Sequence, residues 1–164
     1  MSAPRLKSLK TRLASFTVLA QILSVGATGL ALPATASAVE VCNGLAATIT
    51  GTGVINGTAG SDVIIGSESA DTINGNGGND TICAKGANDT VTVGNSTVWV
   101  DLGEGDNTYN GGSGNDTVLA GDGNNTVNLG NGTNSFTGGN GNNTANGGSG
   151  NDTITTGNGQ NTCR

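Results

Sequence analysis

The sequence predicts an all-β solenoid, in which short strands stack along one axis and share a thin core. The first observation is a nine-residue period that runs without insertion from Gly57 to Arg164, in twelve units. The second is one hydrophobic residue at the eighth position of almost every unit. The third is a composition with 30 glycines and 2% aromatic residues, too poor in large apolar groups for an ordinary globular core. Stacked units overcome this shortage because each buries its apolar residue against its neighbours.

The clearest units span residues 111–119 (GGSGNDTVL) and 147–155 (GGSGNDTIT). Glycine recurs at the first, second and fourth positions, where it permits positive φ and close approach of backbones. The sixth residue ends the turn, and positions seven to nine form a short strand whose middle residue faces inward. The predicted inward series is Ile64, Ile73, Ile82, Val91, Val100, Tyr109, Val118, Val127, Phe136, Ala145, Ile154 and Cys163.

The G-G-x-G-x-D-x-U-x pattern of these units resembles the RTX, or haemolysin-type calcium-binding, nonapeptide repeat family. The resemblance covers about two thirds of the chain. It implies a right-handed parallel β-roll (a β-solenoid) in which two units make one turn, so that odd and even units line opposite sheets. Twelve units then make about six turns, with a length of about 29 Å at roughly 4.8 Å per strand.

The residues before the repeats divide into two segments. Residues 1–38 predict a secretory signal peptide, with basic residues, an apolar run and a small-x-small cleavage site at 36–38. The alternative for residues 1–38 is an uncleaved membrane anchor. After residue 38, no stretch of the sequence is long and apolar enough to span a bilayer. Residues 39–56 are expected to form an N-terminal cap, because the first turn would otherwise expose an open edge. This segment also resembles the opening of small secreted members of the family. The predicted β-roll occupies residues 57–164.

The resemblance implies that sixth-position aspartates and turn carbonyls coordinate calcium between stacked turns. Such oxygens are the ligands that calcium prefers. The candidate ligands are Asp62, Asp80, Asp116 and Asp152 in the odd units, and Asp71 and Asp89 in the even units. Only the pairs Asp62/Asp80 and Asp71/Asp89 are fully acidic, so calcium is expected mainly in the first four units. The alternative is that these residues serve only as turn formers.

Two groups of units depart from the family pattern. From Asn107 onward every even unit has asparagine at the sixth position, and identical stacked amides are expected to hydrogen-bond to one another as a ladder. The fifth unit, residues 93–101, has Val98 at this position, and Val98 and Val100 are predicted to face inward. Trp99 then faces outward, either lying on the sheet or offering an aromatic surface to a sugar or a partner.

Three cysteines allow one disulfide and leave one thiol. In the β-roll, Cys163 lies more than four turns beyond Cys83, roughly 20 Å at strand spacing, which exceeds the reach of a disulfide. Cys42–Cys83 is therefore the favoured bond, and it would tie the cap to the second turn. Cys163 is expected either to be buried in the last turn or to pair between molecules. An unpaired C-terminal strand edge also predicts self-association.

Charge and composition narrow the function classes. Four of the six basic residues lie before residue 13, which leaves Lys85 and Arg164 against 12 acidic residues. Such a chain should repel nucleic acid and attract cations. There is no histidine, so no histidine-based triad exists, and no acidic pair stands out from the repeat. We therefore expect a secreted, extracellular, non-enzymatic calcium-binding protein with a structural or adhesive role. A hydrolase based on two carboxylates is the less favoured alternative.

The even units predict one further surface. Their seventh residues are all threonine and their ninth residues are mostly asparagine, and both positions face outward. This even face consists of Thr72, Thr90, Thr108, Thr126, Thr144 and Thr162 with Asn74, Thr92, Asn110, Asn128 and Asn146. Two regular files of small polar groups resemble the surfaces of solenoid ice-binding proteins. Ice or crystalline-surface binding is thus an alternative function, against the simpler explanation that threonine favours exposed strands and Asn-Gly favours turns.

Overall fold

The computed structural model describes residues 38–164, and the predicted signal peptide lies outside this part except for its last residue. The described residues form β-strands and turns without an α-helix. Accordingly, they offer no helix long and apolar enough to cross a membrane.

Two parallel seven-stranded sheets make up the body of the molecule. The odd sheet contains β3 (Ile49–Thr50), β5 (Val63–Ile65), β7 (Thr81–Cys83), β9 (Trp99–Asp101), β11 (Thr117–Leu119), β13 (Ser135–Gly138) and β15 (Thr153–Thr156). The even sheet contains β4 (Val54–Asn56), β6 (Thr72–Asn74), β8 (Thr90–Thr92), β10 (Thr108–Asn110), β12 (Thr126–Asn128), β14 (Thr144–Asn146) and β16 (Thr162–Cys163). Consecutive strands alternate between the two sheets, so the chain winds as a parallel β-solenoid.

The register of the strands confirms the repeat. Tyr109 in β10 pairs with Val127 in β12, and Val118 in β11 pairs with Phe136 in β13. Each partner lies 18 residues away, so one turn contains two nine-residue units, and the twelve units make about six turns. Strands β3 and β4 add one further turn before the repeats, although this segment lacks the glycine pattern.

The core lies between the two sheets and consists of the eighth-position residues. From Ile64 to Ala145 these side chains are buried, with Tyr109 and Phe136 the largest. Ile154 is half-buried and Cys163 is exposed, because no turn stacks on the last strands. Burial of Cys163 in the last turn was therefore a wrong alternative, and Cys163 has no disulfide partner among residues 38–164.

The first position of each unit also points into the core. Ala84, Val93, Leu102 and Leu129 occupy it in four units and are all buried. Val98 is buried as well, as predicted for the fifth unit, and Trp99 is half-buried on the outer face of the odd sheet. The apolar residues at the first and sixth positions enlarge the core where the turn has lost its glycine or its aspartate.

A short antiparallel hairpin precedes the solenoid. Its strands are β1 (Val41–Cys42) and β2 (Leu45–Ala46), joined by Asn43 and Gly44 with φ of 48° and 78°. A type I′ two-residue hairpin turn needs positive φ at both central positions, and Asn-Gly is a favoured pair for it.

This hairpin packs on the outer face of the odd sheet. Strand β1 contacts β5 and β7, and the Cys42–Cys83 disulfide joins the two elements. Ile65 points outward from its strand, yet it is buried to 1% exposure, which the hairpin on this face explains. The sequence did not predict this burial, since sequence periodicity carries no information on what lies over a sheet. That residues 39–56 act as a cap stays a prediction.

Removing the disulfide should destabilise the protein. The bond closes a loop between cysteines 41 residues apart, and the chain-entropy model gives about 3–4 kcal/mol for such a loop. The double variant Cys42→Ser/Cys83→Ser should lose about that much free energy of unfolding in urea denaturation. Cys163→Ser is the matched control, and an equal loss in that variant would contradict the assignment.

Candidate metal centre

The predicted metal ligands lie at the end of each turn, immediately before the strand. Each sixth-position side chain from Asp62 to Asn143 is buried, although almost all are Asp or Asn. Asp152 and Asn161, in the last turn, are half-buried. Since buried polar groups require partners, the bonds made by these side chains define the chemistry of each turn.

One bond is shared by aspartate and asparagine alike. The Oδ1 atom accepts a hydrogen bond from the backbone N–H of the residue 18 positions earlier, in the preceding turn. Asp80 accepts from Asp62 at 2.9 Å, Asp89 from Asp71 at 2.8 Å, and Asn107 from Asp89 at 2.8 Å. The stacked pairs that the sequence predicted are therefore in direct contact.

The expected ladder of sixth-position amides was wrong in its geometry. The side-chain amide of Asn125 donates to Oδ1 of Asn143 at 3.0 Å, but the repeated bond runs from backbone to side chain. Backbone N–H groups at the turn ends need acceptors, and they find them in the Oδ1 of the sixth residue one turn later. Amide-to-amide bonds occur instead at the exposed ninth position, from Asn74 to Asn56 at 2.8 Å and from Asn128 to Asn110 at 3.2 Å.

The second carboxylate oxygen distinguishes the first two units from the fourth. Oδ2 of Asp62 accepts from the backbone N–H of Thr58 at 2.7 Å and from its hydroxyl at 2.9 Å. Asp71 makes the same two bonds with Ser67, at 2.7 and 3.0 Å. Oδ2 of Asp89 is buried and has no hydrogen-bond partner among the described residues.

The buried carboxyls of the third and fourth units are electrostatically unfavourable as anions. Burial raises the pKa of Asp89 to about 6; the hydrogen bond from the Asp71 N–H opposes this effect, and the Asp71 charge adds to it. Burial likewise raises the pKa of Asp80, with the same opposing and reinforcing contributions from Asp62. An orphaned, buried carboxylate oxygen beside a second carboxylate fits a bound calcium ion, which would supply the missing positive charge.

Asp116 has a different environment. Its Oδ2 accepts a hydrogen bond from the buried Tyr109 hydroxyl at 2.9 Å, and its Oδ1 accepts from the N–H of Val98 at 3.3 Å. Burial raises the pKa of Asp116, while the bond from Tyr109 opposes that shift. Both oxygens therefore have protein donors. The repeat predicted neither that Tyr109 would bond to Asp116 nor the direction in which the Tyr109 hydroxyl points, because the two residues lie in different units.

The structure also explains where glycine occupies the first position. A Cβ added at Gly66, Gly75, Gly111 or Gly147 would lie 2.6–2.9 Å from Oδ2 of the aspartate in the same unit. Glycine precedes five of the six sixth-position aspartates, whereas asparagine units have Leu, Ala or Thr there as well as Gly. Ala84, before Asp89, is the exception. This covariation was present in the sequence, but only the contact shows its cause.

Few side chains are available as ligands for a calcium ion in any one turn. Among residues 38–164 no three His, Cys, Asp or Glu side chains are grouped to hold a metal ion. The turns bring together two carboxylates per stacked pair, Asp62 with Asp80 and Asp71 with Asp89. The remaining oxygens would have to be turn carbonyls, which a glycine-rich turn presents readily.

Calcium-free protein should lose stability as the pH rises from about 4 to about 6. The pKa of Asp89 is about 6 in the folded chain and about 3.9 when unfolded, so the folded state holds the proton more tightly. The free energy of unfolding is therefore highest below pH 4 and falls through pH 6. Urea denaturation in EDTA at several pH values measures it. Asp89→Asn should show a shallower decline, and equal slopes would contradict the assignment.

Comparison with known proteins agrees with the repeat. The family model described as the RTX calcium-binding nonapeptide repeat matches residues 50–91, 101–136 and 129–163, which together cover more than half of the chain. The gap between the matches, residues 92–100, falls on the fifth unit, which has Val98 in place of aspartate. No curated protein and no solved structure matches the chain.

Proposed function

The chain belongs to the RTX calcium-binding nonapeptide repeat family, and we propose that it is a secreted β-roll with a structural or adhesive role outside the cell. Calcium binding is the property of the repeat, and we place it in the first four units. The observation that carries this placement is the buried Oδ2 of Asp89 beside the Asp71 carboxylate, which lacks a hydrogen-bond partner within the described part of the chain.

Two stacks of carboxylates would hold the ions. Asp71 and Asp89 form one on the even side, and Asp62 and Asp80 form the other on the odd side. Without a cation each stack confines two negative charges in a buried turn, which opposes folding. Calcium would remove that repulsion, so its binding energy would appear as folding energy. The carboxylates would therefore act on the stability of their own turns and not on a substrate. This suits a structural element rather than a catalyst.

The extracellular assignment rests on two features. Repeats of this family are typical of secreted proteins, and the Cys42–Cys83 disulfide is of a kind that persists in oxidising compartments. Extracellular calcium modules generally bind in the 10⁻⁴–10⁻³ M range, matched to an environment rich in calcium. Pairing of the C-terminal strand edge between two molecules, with the exposed Cys163 available to link them, belongs to the same proposal.

A calcium titration of the mature chain tests this proposal. We expect about two ions to bind and the melting temperature to rise with calcium, because binding is linked to folding. Asp80→Ala and Asp89→Ala should each remove more calcium affinity than Asp152→Ala, which lies in the half-buried last turn. If millimolar calcium changes neither the heat flow nor the circular dichroism of the chain, the proposal is ruled out. Equal losses of calcium affinity in the three variants would contradict the placement of the sites.

A second candidate function, binding to ice or to a crystalline surface, is favoured by the register of the even sheet. The seventh-position threonines pair directly from strand to strand, as Thr108 does with Thr126 and Thr126 with Thr144. Thr126, Thr144, Asn128 and Asn146 are exposed at the centre and C-terminal end of this face. Two files about 6.7 Å apart, with steps of about 4.8 Å, form a regular polar grid.

This second candidate is tested by thermal hysteresis and ice-recrystallisation inhibition. Thr126→Leu places a larger apolar group at the middle of the even face and should abolish activity while calcium binding is retained. Thr153→Leu makes the same change at an exposed seventh position of the odd sheet and should leave activity unchanged. Wild-type protein without activity, or equal behaviour of the two variants, would dispose of this function.

A further inference from the structure

We propose that Asn107, Asn125 and Asn143 exclude calcium from their turns because the side-chain amide itself supplies the positive group that a cation would provide. In the even stack from Asn107 onward, the sixth residue thereby completes its turn without calcium. The proposal rests on the calcium-binding function only for the aspartate turns, since the bonds of the asparagine turns are present in the protein alone.

The amide nitrogens point into their own turns and contact backbone carbonyls. Nδ2 of Asn107 donates to the carbonyls of Gly103 at 3.3 Å and Gly105 at 3.2 Å. Nδ2 of Asn143 repeats this arrangement with Gly139 at 3.2 Å and Gly141 at 3.4 Å. These carbonyls belong to the second and fourth residues of the unit.

The central and last even units follow the same scheme. Nδ2 of Asn125 donates to the carbonyl of Gly123 at 3.3 Å and also to Asn143 Oδ1. Nδ2 of Asn161 donates to Gly157 at 3.0 Å and Gly159 at 3.5 Å. Four successive turns of the even stack thus have one or two of these carbonyls bonded by a neutral donor.

Comparison of two adjacent turns shows how the bonds of the two sixth-position side chains differ. The turns that end at Asp89 and Asn107 both have positive φ at the second and fourth residues of the unit. In the Asp89 turn, φ is 85° at Lys85 and 74° at Ala87. In the Asn107 turn, φ is 70° at Gly103 and 117° at Gly105. The backbones therefore share one left-handed shape. Nδ2 of Asn107 has two carbonyl partners in that shape, whereas the equivalent Oδ2 of Asp89 has none among the described residues.

The chemistry of the two side chains accounts for this difference. A carboxylate oxygen has no proton to donate, so it repels the carbonyl oxygens that an amide would bind. A divalent cation between them converts that repulsion into coordination. The amide achieves the same end with N–H groups and carries no charge to be buried. Lysine and alanine at positive φ in the Asp89 turn show that this shape is kept even where it is unfavourable for the residue.

In the odd stack the sixth-position side chains have other partners than in the even stack, and this limits which asparagines the proposal covers. The Tyr109 hydroxyl satisfies Asp116. Asn134 lies between Asp116 and Asp152, and its Nδ2 is buried without a hydrogen-bond partner among residues 38–164. The rule therefore applies to the even stack from Asn107 onward, where the amide has carbonyl partners.

The test converts two amide turns into carboxylate turns. In Asn107→Asp/Asn125→Asp, the acidic even stack continues from Asp89, so the variant should bind one or two more calcium ions than wild type by isothermal titration with calcium chloride. In EDTA its melting temperature should fall by about 5–10 °C, because buried donors are lost and charges are stacked. Calcium should restore the loss.

The matched control also adds two charges to the even stack, each one residue before a sixth-position asparagine. Asn124→Asp/Asn142→Asp changes exposed fifth-position residues in the turns of Asn125 and Asn143. The fifth residue of the Asn107 turn, Asp106, is already acidic and accepts the N–H of Asn124. This control should bind no additional calcium and should melt in EDTA within about 2 °C of wild type, as surface substitutions usually do. Identical stoichiometry and melting in the two double variants would overturn the proposal.

The reverse change keeps the proposal testable if the double variant does not fold. Asp89→Asn should raise the melting temperature in EDTA and lower calcium affinity, whereas Asp89→Ala should lower affinity without that gain in EDTA. Asp89→Asn melting no higher than Asp89→Ala in EDTA would overturn the proposal. A wild-type chain that ignores calcium refutes the proposed function instead, and the EDTA comparisons still decide the role of the amides.

Discussion

The hydrogen bond from a backbone N–H to the sixth-position oxygen one turn later is the constraint on which this solenoid depends. It crosses between turns at the place where the chain leaves the turn and enters the strand, as in Asp71 to Asp89 and Asp116 to Asn134. The strands are only three residues long in most turns and hold few ladder bonds each. A buried acceptor at the end of every turn from Asp62 to Asn143, except the one that ends at Val98, therefore sets the stacking register, and it requires Asp or Asn at a position that would otherwise be apolar.

A buried aspartate at the sixth position has an unfavourable charge, and this charge is compensated or avoided in three ways along the chain. Asp80 and Asp89 have raised pKa values because burial disfavours their charge, and a cation is the natural remedy. Asp116 is stabilised by the Tyr109 hydroxyl, a donor from a neighbouring unit. The even stack from Asn107 onward removes the charge altogether. In the function proposed here, the N-terminal turns of the solenoid bind calcium, while the later even turns are satisfied by the protein.

The fifth unit shows that the bond can be replaced when the core is enlarged. Val98 offers no oxygen to the N–H of Asp80, and Val93 and Val98 instead add buried apolar surface at the corner of the turn. Buried apolar area stabilises by about 25 cal/mol per Å², so two such side chains offset the loss of one hydrogen bond. The same unit lies in the gap of the family match, which indicates how far this turn departs from its neighbours.

Periodicity determined the strands and the core of the fold. A nine-residue repeat with one apolar position predicts the strand length and the inward series from Ile64 to Ala145, because these depend only on local spacing. The alternation of the two sheets was implied by the resemblance to the repeat family. The sequence also identified the buried carboxylates and the Cys42–Cys83 pair. Only the tertiary structure decided that Ile65 is covered, that Tyr109 holds Asp116, and that asparagine amides contact their own turn carbonyls. Each of these depends on which way a side chain points across a turn or between units, and a repeat that is nearly identical in every unit contains no record of that direction.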